Sequence, residues 1–327
     1  MKNERKLLRI LAIIVIAFLV LMTVVAVAKK IEKAETEKTS KYKKYMIDTI
    51  RILNEYSKKQ NENFNIIANG GYNIYNPEKT DTTFCTNFLK DVDGVLIEDI
   101  WYGWDVEKNK STPKSERKDM KSAFKFAKKN EVPRFNIEYC DGKKAKKAKE
   151  NSKKLGTVVY TTSSTDLNKI PTNKGNKKDI KTLKDVKNFM IVLDPEKYKT
   201  KKEYLKALKD TNYDMIMLDA YYNDKLLTKK EVDSLRKKKN GHKRLVCTYI
   251  SVGEAEQYRY YFKKKWKKNP PDWMAKENPK WKGNYKVKYW DPEWRDILKG
   301  YLDKIIGAGF DGAYFDVIDA FEYFMEK

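Results

Sequence analysis

The sequence has little of the residues on which most catalytic and metal centres depend. Its 327 residues include one histidine, His242, and three cysteines, Cys85, Cys140 and Cys247. A histidine-based triad and a multi-histidine metal site are therefore nearly excluded. The cysteines are odd in number and lack C-x-x-C spacing, so they indicate neither a disulfide framework nor a zinc site. No GxxxxGK[ST] phosphate-binding loop is present. We expect chemistry based on carboxylates, Tyr, Trp, Asn, Arg or Lys, with no metal or organic cofactor.

Residues 10–28 contain no charge at all and follow a lysine- and arginine-rich N-terminus. Their number is close to the roughly 20 apolar residues that span a bilayer. The basic flank predicts a cytoplasmic N-terminus and an extracellular C-terminal domain. We interpret residues 1–28 as a single-pass anchor in the cell membrane. The alternative is a signal peptide cleaved near Ala28, because Ala26-Val27-Ala28 resembles a cleavage site.

The chain is strongly basic, with 70 Lys and Arg against 46 Asp and Glu and a net charge of +24. Such a charge favours an anionic neighbour such as phospholipid head groups or an anionic cell-wall polymer. The lysines are nevertheless spread over most predicted helices and form no single block with interleaved aromatics. A solvated lysine-rich surface is the better interpretation, and we expect no nucleic-acid partner.

Beyond a polar tether at residues 29–40, residues 41–327 predict one large α/β domain in which strands alternate with helices. Helices are expected at about residues 41–60, 115–129, 143–153, 200–210, 228–239 and 293–307. The main strand candidates are Phe64–Asn69, Gly94–Glu98, Pro133–Glu138, Phe189–Leu193, Met215–Asp219, Arg244–Ile250, Lys286–Trp290 and Gly312–Asp316, with an extra candidate at Thr157–Thr161. Eight strands with helices between most of them predict a (β/α)8 barrel of the TIM type. The alternative, an open doubly wound sheet, lacks a glycine-rich phosphate turn.

One pattern occurs three times, in Val92–Glu98, Tyr213–Asp219 and Phe310–Asp316. Each copy has an Asp-led turn, about four apolar residues and a terminal acid. Continuous apolar runs are typical of parallel strands buried on both faces. The acid then lies at the C-terminal end of its strand, where catalytic residues converge in a barrel. Each acid could instead only cap the next helix or turn.

Acids and aromatic residues together follow the predicted strands, as a sugar-binding site requires. Paired carboxyl groups hydrolyse glycosidic bonds, and aromatic rings stack on the apolar faces of sugars. Packing remains the alternative role for any one of the aromatics. The candidate substrate-binding residues are Asp219, Glu254, Arg259, Tyr258, Asp319, Asn69, Trp101, Tyr102, Tyr221, Trp290 and Glu138.

The segment Thr248–Glu256, with Tyr258 and Arg259, resembles the signature of glycoside hydrolase family 114, the endo-α-1,4-polygalactosaminidase-like family of exported barrels. Trp281–Tyr285 with Tyr289–Asp291, and Gly309–Asp316 with Asp319 and Tyr323, are also similar to that family. The resemblance runs from about Phe189 to Phe324.

The first half of the chain resembles the same family in a different order. Tyr45–Asn69 looks like the helix and strand that normally follow the segment with which this chain ends. We therefore predict a circular permutation, opened after the strand that carries Asp316. The strand Phe64–Asn69 must then lie beside Gly312–Asp316.

By position, Asp316 and Glu98 resemble the family's catalytic carboxylate pair. The resemblance implies Asp316 as nucleophile or charge stabiliser and Glu98 as general acid/base. The leading hypothesis is an extracellular, membrane-anchored hydrolase that cleaves an α-linked, amino-sugar-containing polysaccharide. A deacetylated galactosamine polymer is cationic, so a chain of charge +24 needs a locally acidic site to bind it. The alternatives are a non-catalytic cell-surface polysaccharide-binding barrel and a basic surface protein that binds anionic polymers.

Overall fold

The computed structural model describes residues 2–326. In the first helix, α1 (Lys2–Gln60), it describes the side chains of residues 16–18, 20–27, 29, 30 and 41–60. The bounds of α1 include the predicted tether, but the side chains of residues 31–40 and part of the predicted anchor lie outside the described residues. Within the described part of the chain, no helix is both long and apolar enough to cross a membrane. The anchor and the tether stay predictions.

Eight parallel strands form one sheet that is nearly closed into a barrel. Apolar runs buried on both faces build it; in the strand Phe189–Val192, for example, all four side chains are buried. The barrel strands are β1 (Asn65–Asn69), β2 (Gly94–Glu98), β3 (Arg134–Tyr139), β4 (Val158–Thr162), β5 (Phe189–Val192), β6 (Met215–Leu218), β7 (Leu245–Ser251) and β8 (Gly312–Asp316). Their spatial order is β4-β3-β2-β1-β8-β7-β6-β5, and the edge strands β4 and β5 contact each other. The predicted (β/α)8 architecture is thereby confirmed.

One of the eight main strand predictions was wrong. Residues 286–290 do not enter the barrel. Instead Asn284–Val287 pairs antiparallel with Glu254–Glu256 and Met274–Glu277 in a small sheet beside it. Lysines alternate with apolar residues here, which suits a strand with one solvated face rather than a barrel strand. The place in the barrel belongs to the extra candidate, observed as β4.

The helices lie outside the barrel, and all six predicted ones are present. They are accompanied by two short helices that the sequence did not predict, because nine and five residues give too little periodicity. A two-stranded hairpin, Tyr221–Tyr222 with Lys225–Leu226, follows β6. The helices after α1 are α2 (Thr82–Lys90), α3 (Lys114–Lys129), α4 (Gly142–Leu155), α5 (Lys201–Lys209), α6 (Lys229–Leu235), α7 (Pro292–Gly307) and α8 (Phe321–Met325).

The first and last strands of the barrel are neighbours, as the permutation hypothesis requires. Strand β1 pairs in parallel with β8, with Asn65 opposite Gly312 and Ala68 opposite Phe315. The packed part of α1 contacts α7 and α8. It is also bonded to the loop before α7, where the Thr49 hydroxyl donates to the carbonyl of Tyr289 at 3.1 Å. The N-terminal and C-terminal segments therefore close the barrel together.

Gly253, in the loop after β7, must be a glycine because the loop after β8 approaches it closely. A Cβ atom at this position would lie 2.3 Å from the Val317 carbonyl oxygen and 2.5 Å from the Ala320 Cβ. We expect Gly253→Ala to lower the free energy of unfolding by about 1–3 kcal/mol, the usual cost of overpacking. Gly300→Ala is the matched control, because nothing lies within 4 Å of its Cβ position in α7. It should raise stability by about 0.5–1 kcal/mol. Urea denaturation measures both, and equal effects would contradict the close approach.

Candidate active site

Three adjacent strands bring Asn69, Glu98 and Asp316 together at the C-terminal end of the barrel. Asn69 ends β1, Glu98 ends β2 and Asp316 ends β8. The Asn69 side-chain amide donates to Glu98 Oε1 and to Asp316 Oδ1, each at 2.7 Å. The two acceptor oxygens are therefore at most about 5.4 Å apart, twice that bond length. The two carboxyl groups proposed from sequence as a pair are thus neighbours, although 218 positions apart in numbering.

Two tyrosines also hold the Glu98 carboxyl group. The Tyr139 hydroxyl donates to Oε2 at 2.6 Å, and the Tyr314 hydroxyl donates to Oε1 at 3.0 Å. Sequence reasoning did not select either residue. Strand alternation could have found Tyr314, because residues two apart on a strand share a face and Tyr314 precedes Asp316 by two. With Asn69, three donors face Glu98, an arrangement that suits a carboxylate, which accepts on both oxygens.

Asp316 lies in a different electrostatic environment from Glu98. Burial, followed by the neighbouring Glu98 carboxyl group, raises the pKa of Asp316 well above its ordinary value. The bond from Asn69 opposes this shift but does not overcome it. Two carboxyl groups this close do not both ionise readily, and their protons belong to the pair as a unit. Asp316 therefore carries a proton near neutral pH, with burial as the main cause.

A second group of charges surrounds Arg259, whose side chain is only 4% exposed. Its guanidinium lies 2.8 Å from Asp219 Oδ2, and its Nε donates to Glu256 Oε2 at 2.6 Å. The hydroxyl groups of Tyr258 and Tyr249 donate to Glu256 Oε1 at 2.6 and 3.0 Å. This network fixes the segment after β7 to the C-terminal end of the neighbouring strand β6. Sequence reasoning named Asp219, Arg259 and Tyr258 but missed Glu256, the second acid of Glu254-Ala255-Glu256.

Glu254 is the first residue of Glu254–Glu256, a strand of the small antiparallel sheet. Lys286 Nζ and the Asn278 amide each lie 2.7 Å from its Oε1, and the Asn284 amide donates to Oε2 at 3.3 Å. Its charge is compensated by Lys286.

The pair and both networks line one cleft of about 800 Å³ at the barrel mouth. Among the described residues that line it, ten are acidic and one, Arg259, is basic. The lining of the cleft thus reverses the charge of the chain, because no lysine is among the described residues that form it. Three exposed rings, those of Tyr258, Tyr260 and Trp281, border it and offer faces on which a sugar could stack. Of the residues predicted from sequence, the cleft is lined by Glu98, Asp316, Asp219, Glu254, Arg259, Tyr258 and Tyr221.

Other predicted site residues lie outside the cleft lining. Glu138 is completely buried, and its Oε2 accepts from the backbone amides of Trp101 and Tyr102 at 2.9 and 2.8 Å. The Trp101 indole donates to Ser152 at 3.1 Å, on the helix side of the barrel. Glu138 therefore holds the loop after β2, and burial raises its pKa to about 8.

Three further predicted site residues also lie outside the cleft lining: Trp290, Asp319 and Asn69. Trp290 packs on Tyr42 and on Phe324, with ring centroids 5.4 and 4.8 Å apart, near the junction of α1 and α8. Asp319 is exposed beside Gly70, at the edge of the cleft. Asn69 is buried beneath the pair. Within residues 2–326 as described, no group of three or more His, Cys, Asp or Glu side chains is arranged to hold a metal ion.

Comparison with known proteins links the C-terminal half of the chain to one family. Residues 171–326 match the model of glycoside-hydrolase family GH114. The uncharacterized protein MJ1477 of Methanocaldococcus jannaschii is 51% identical over 100 residues, which cover 31% of this chain and 28% of that protein. An uncharacterized protein of Thermotoga maritima is 49% identical over 79 residues, 24% of each chain. This chain thus spans about a quarter of the length of these relatives.

A solved structure with partial similarity is the complex of Aspergillus fumigatus Ega3 with galactosamine. It is 19% identical, with a TM-score of 0.29, over 41% of this chain and 45% of that chain.

Proposed function

Because this chain belongs to glycoside-hydrolase family GH114, we propose that it hydrolyses glycosidic bonds in an amino-sugar-containing polysaccharide. The observation that carries the proposal is the charge of the cleft. A chain of net charge +24 lines the cleft at its barrel mouth with ten acids and one arginine. Clefts lined by one sign of charge attract ligands of the opposite sign. A cationic, deacetylated amino-sugar polymer is the substrate that fits, and the repulsion expected from the net charge is overcome locally.

Glu98 and Asp316 supply the chemistry in this proposal. Protonated Asp316 donates its proton to the leaving glycosidic oxygen as the bond to the anomeric carbon breaks. Glu98, held by three donors, attacks or stabilises that carbon from its other side. Water then releases the sugar, and Asp316 recovers a proton. These roles are the reverse of those inferred from sequence, and they rest on the raised pKa of Asp316.

The spacing of the pair supports a retaining reaction. Retaining glycosidases have carboxyl groups about 5–5.5 Å apart, and inverting ones about 6.5–9.5 Å, which leaves room for a water. Here one amide group bridges the facing oxygens, with 2.7 Å to each. The facing oxygens are therefore at most about 5.4 Å apart, below the separation typical of inverting enzymes, so we propose that Glu98 acts as nucleophile.

The charge of the cleft predicts how the enzyme selects polymers. For a soluble form beginning at Lys30, we expect kcat/KM on deacetylated galactosamine polymer to exceed that on its N-acetylated counterpart roughly tenfold at low salt. Raising the salt concentration should reduce this preference, because screening weakens attraction between separated charges. Reducing-end release measures both effects. Equal rates on the two polymers at all salt concentrations would contradict electrostatic selection, and binding without release would favour a non-catalytic polysaccharide-binding barrel.

We also propose that the protein is exported and anchored through residues 1–28. In support, eight apolar side chains between residues 16 and 27 are exposed in the described chain, including Ile16, Phe18 and Leu21. Exposed apolar surface of this kind is costly in water and stable in lipid. Protease added to intact cells should digest the barrel and leave an N-terminal fragment in the membrane. Recovery of the intact barrel in the culture medium would indicate cleavage near Ala28 instead.

A further inference from the structure

The packed part of α1 begins at the barrel mouth. Near its start, Lys43 Nζ donates to the Lys79 carbonyl at 2.9 Å, in the segment that follows β1. Near its end, Lys58 Nζ lies 3.0 Å from the Asp93 carboxylate, in the turn that precedes β2. The packed part therefore runs antiparallel to the strands, and it leads from the mouth to the opposite end of the barrel.

The same helix joins the barrel mouth to the proposed anchor. α1 is one helix from Lys2 to Gln60, and residues 29–40 separate the anchor from the packed part. These residues span about 18 Å as a helix and at most about 40 Å when fully extended. The mouth is therefore the end of the barrel that the anchor holds close to the bilayer.

The barrel mouth also carries exposed apolar side chains. Beyond residue 30, the large apolar side chains that the described chain exposes are Val106, Tyr258, Tyr260 and Trp281. All four line the cleft. Tyrosine and tryptophan are enriched where proteins meet the head-group region of a membrane. Such rings also stack on sugars, so they support a lipid interface only together with the charges beside them.

A lysine-rich surface lies beside these rings, on the small antiparallel sheet and its loops (residues 254–290). Eight lysines of this segment are exposed, against two exposed acids, Asp272 and Glu277. Anionic phospholipid head groups attract lysines that lie near the membrane surface. The exposed lysines are Lys263, Lys264, Lys265, Lys267, Lys268, Lys276, Lys280 and Lys282.

Packed tryptophans hold this lysine-rich surface at the barrel mouth. Trp266, among the first five lysines, packs on Trp273 with ring centroids 5.1 Å apart, and Trp273 packs on Trp294 at 5.0 Å. Trp294 lies in the first turn of α7, which begins at the mouth because it leads back to the start of β8. The lysines, the exposed rings and the start of the packed part of α1 therefore share one side of the protein.

We infer that the barrel mouth faces the bilayer and that residues 254–290 rest on anionic phospholipid head groups. The inference rests on the proposed anchoring and hydrolysis, and it adds the orientation of the cleft. Because the cleft opens toward the bilayer, it takes polymer that lies at the membrane surface rather than polymer free in the medium. Its acidic lining repels the head groups, so they do not compete with a cationic polymer.

Energy transfer to the bilayer tests this orientation. The three native cysteines are buried, so a dye attached to the full-length protein reports one introduced cysteine. Lys225→Cys places a donor dye on the hairpin at the barrel mouth, and Glu62→Cys places it before β1, at the opposite end. The protein is inserted from outside into vesicles of equal parts phosphatidylcholine and phosphatidylglycerol, with acceptor dye on the outer head groups.

We expect transfer from position 225 to be about twofold or more the transfer from position 62, because the packed part of α1 is about 30 Å long. Equal transfer, or stronger transfer from position 62, overturns the inference. Failure of the protein to insert into the vesicles overturns the proposed anchoring with it. Reducing-end release by the soluble form beginning at Lys30 measures hydrolysis separately, so the hydrolase proposal stands or fails on its own.

The contact between the lysines and the head groups has a separate test in the Lys225→Cys protein. Five substitutions, Lys263→Gln, Lys264→Gln, Lys265→Gln, Lys267→Gln and Lys268→Gln, should lower the transfer to its value in vesicles of phosphatidylcholine alone. The matched control changes five exposed lysines along α4 and should leave the transfer unchanged. If both sets had equal effects, or if lipid charge had none, the proposed contact would be wrong. The control substitutions are Lys146→Gln, Lys147→Gln, Lys149→Gln, Lys153→Gln and Lys154→Gln.

Discussion

Asp316→Asn and Glu98→Gln are each expected to lower kcat/KM by on the order of 10³-fold or more, with the fold intact. Asparagine at position 316 cannot protonate the leaving oxygen, and glutamine at position 98 cannot stabilise a developing positive charge. Both substitutions preserve shape, so the barrel should stay folded. Glu98→Gln places an amide nitrogen opposite a group that donates to the native carboxylate, which should cost some stability without unfolding the protein. Reducing-end release measures the rate, and circular dichroism verifies the fold.

The matched control for these variants is Asp210→Asn. Asp210 lies at the exposed end of α5, where it pairs with Lys206 at 2.6 Å. This variant should retain full activity. If either variant of the pair also retained activity, that residue would have no part in the chemistry, and Asp219 would become the next carboxyl group to test.

Arg259→Met is expected to lower the free energy of unfolding by about 3–5 kcal/mol, the usual cost of removing one partner from a buried ion pair. Asp219 and Glu256 would then face each other without the cation that lies within 2.8 and 2.6 Å of them. Tyr258 would also lose the guanidinium packed 5.0 Å from its ring centroid. Because this network forms one wall of the cleft, KM should rise as well.

Arg51→Met is a suitable control for this substitution. Arg51 is 45% exposed and pairs with Glu55 at 2.9 Å on the surface of α1. Exposed pairs contribute about 0–1 kcal/mol. Guanidinium denaturation measures both variants. If Arg259→Met cost no more than Arg51→Met, the Arg259 network would be solvated and would not form a rigid wall.

Much of the barrel could be predicted because its strands are mostly apolar runs, three of which lead into an acid. Gly94–Glu98 and Gly312–Asp316 were predicted with the observed bounds. Residues 286–290 were wrongly assigned to the barrel because a strand with one solvated face contains the same strand-forming residue types as a barrel strand. Local composition does not determine whether such a strand pairs within the barrel or within a small sheet beside it.

Strand alternation explains why Tyr139 faces the cleft and the predicted site residue Glu138 does not. On β3, Tyr139 reaches Glu98 in the cleft, so Glu138 must face the opposite side, where Asn136 bonds to it at 2.8 Å. The alternation of side chains on β3 is evident from the sequence, but Glu138 was selected as a site residue because it is acidic. The position of β1 between β2 and β8 agrees with the predicted permutation, but the bonds from the Asn69 amide to both carboxyl groups were not predicted from it.

The pairing of Glu98 with Asp316 is tested most directly by the configuration of the sugar that the wild-type enzyme first releases. Proton NMR during the early turnover of a deacetylated α-linked galactosamine polymer distinguishes the two anomers before they equilibrate. Carboxyl groups bridged by one amide at 2.7 Å predict retention, so the α-anomer should appear first. Initial release of the β-anomer would show that water attacks directly, and would contradict the assignment of this pair.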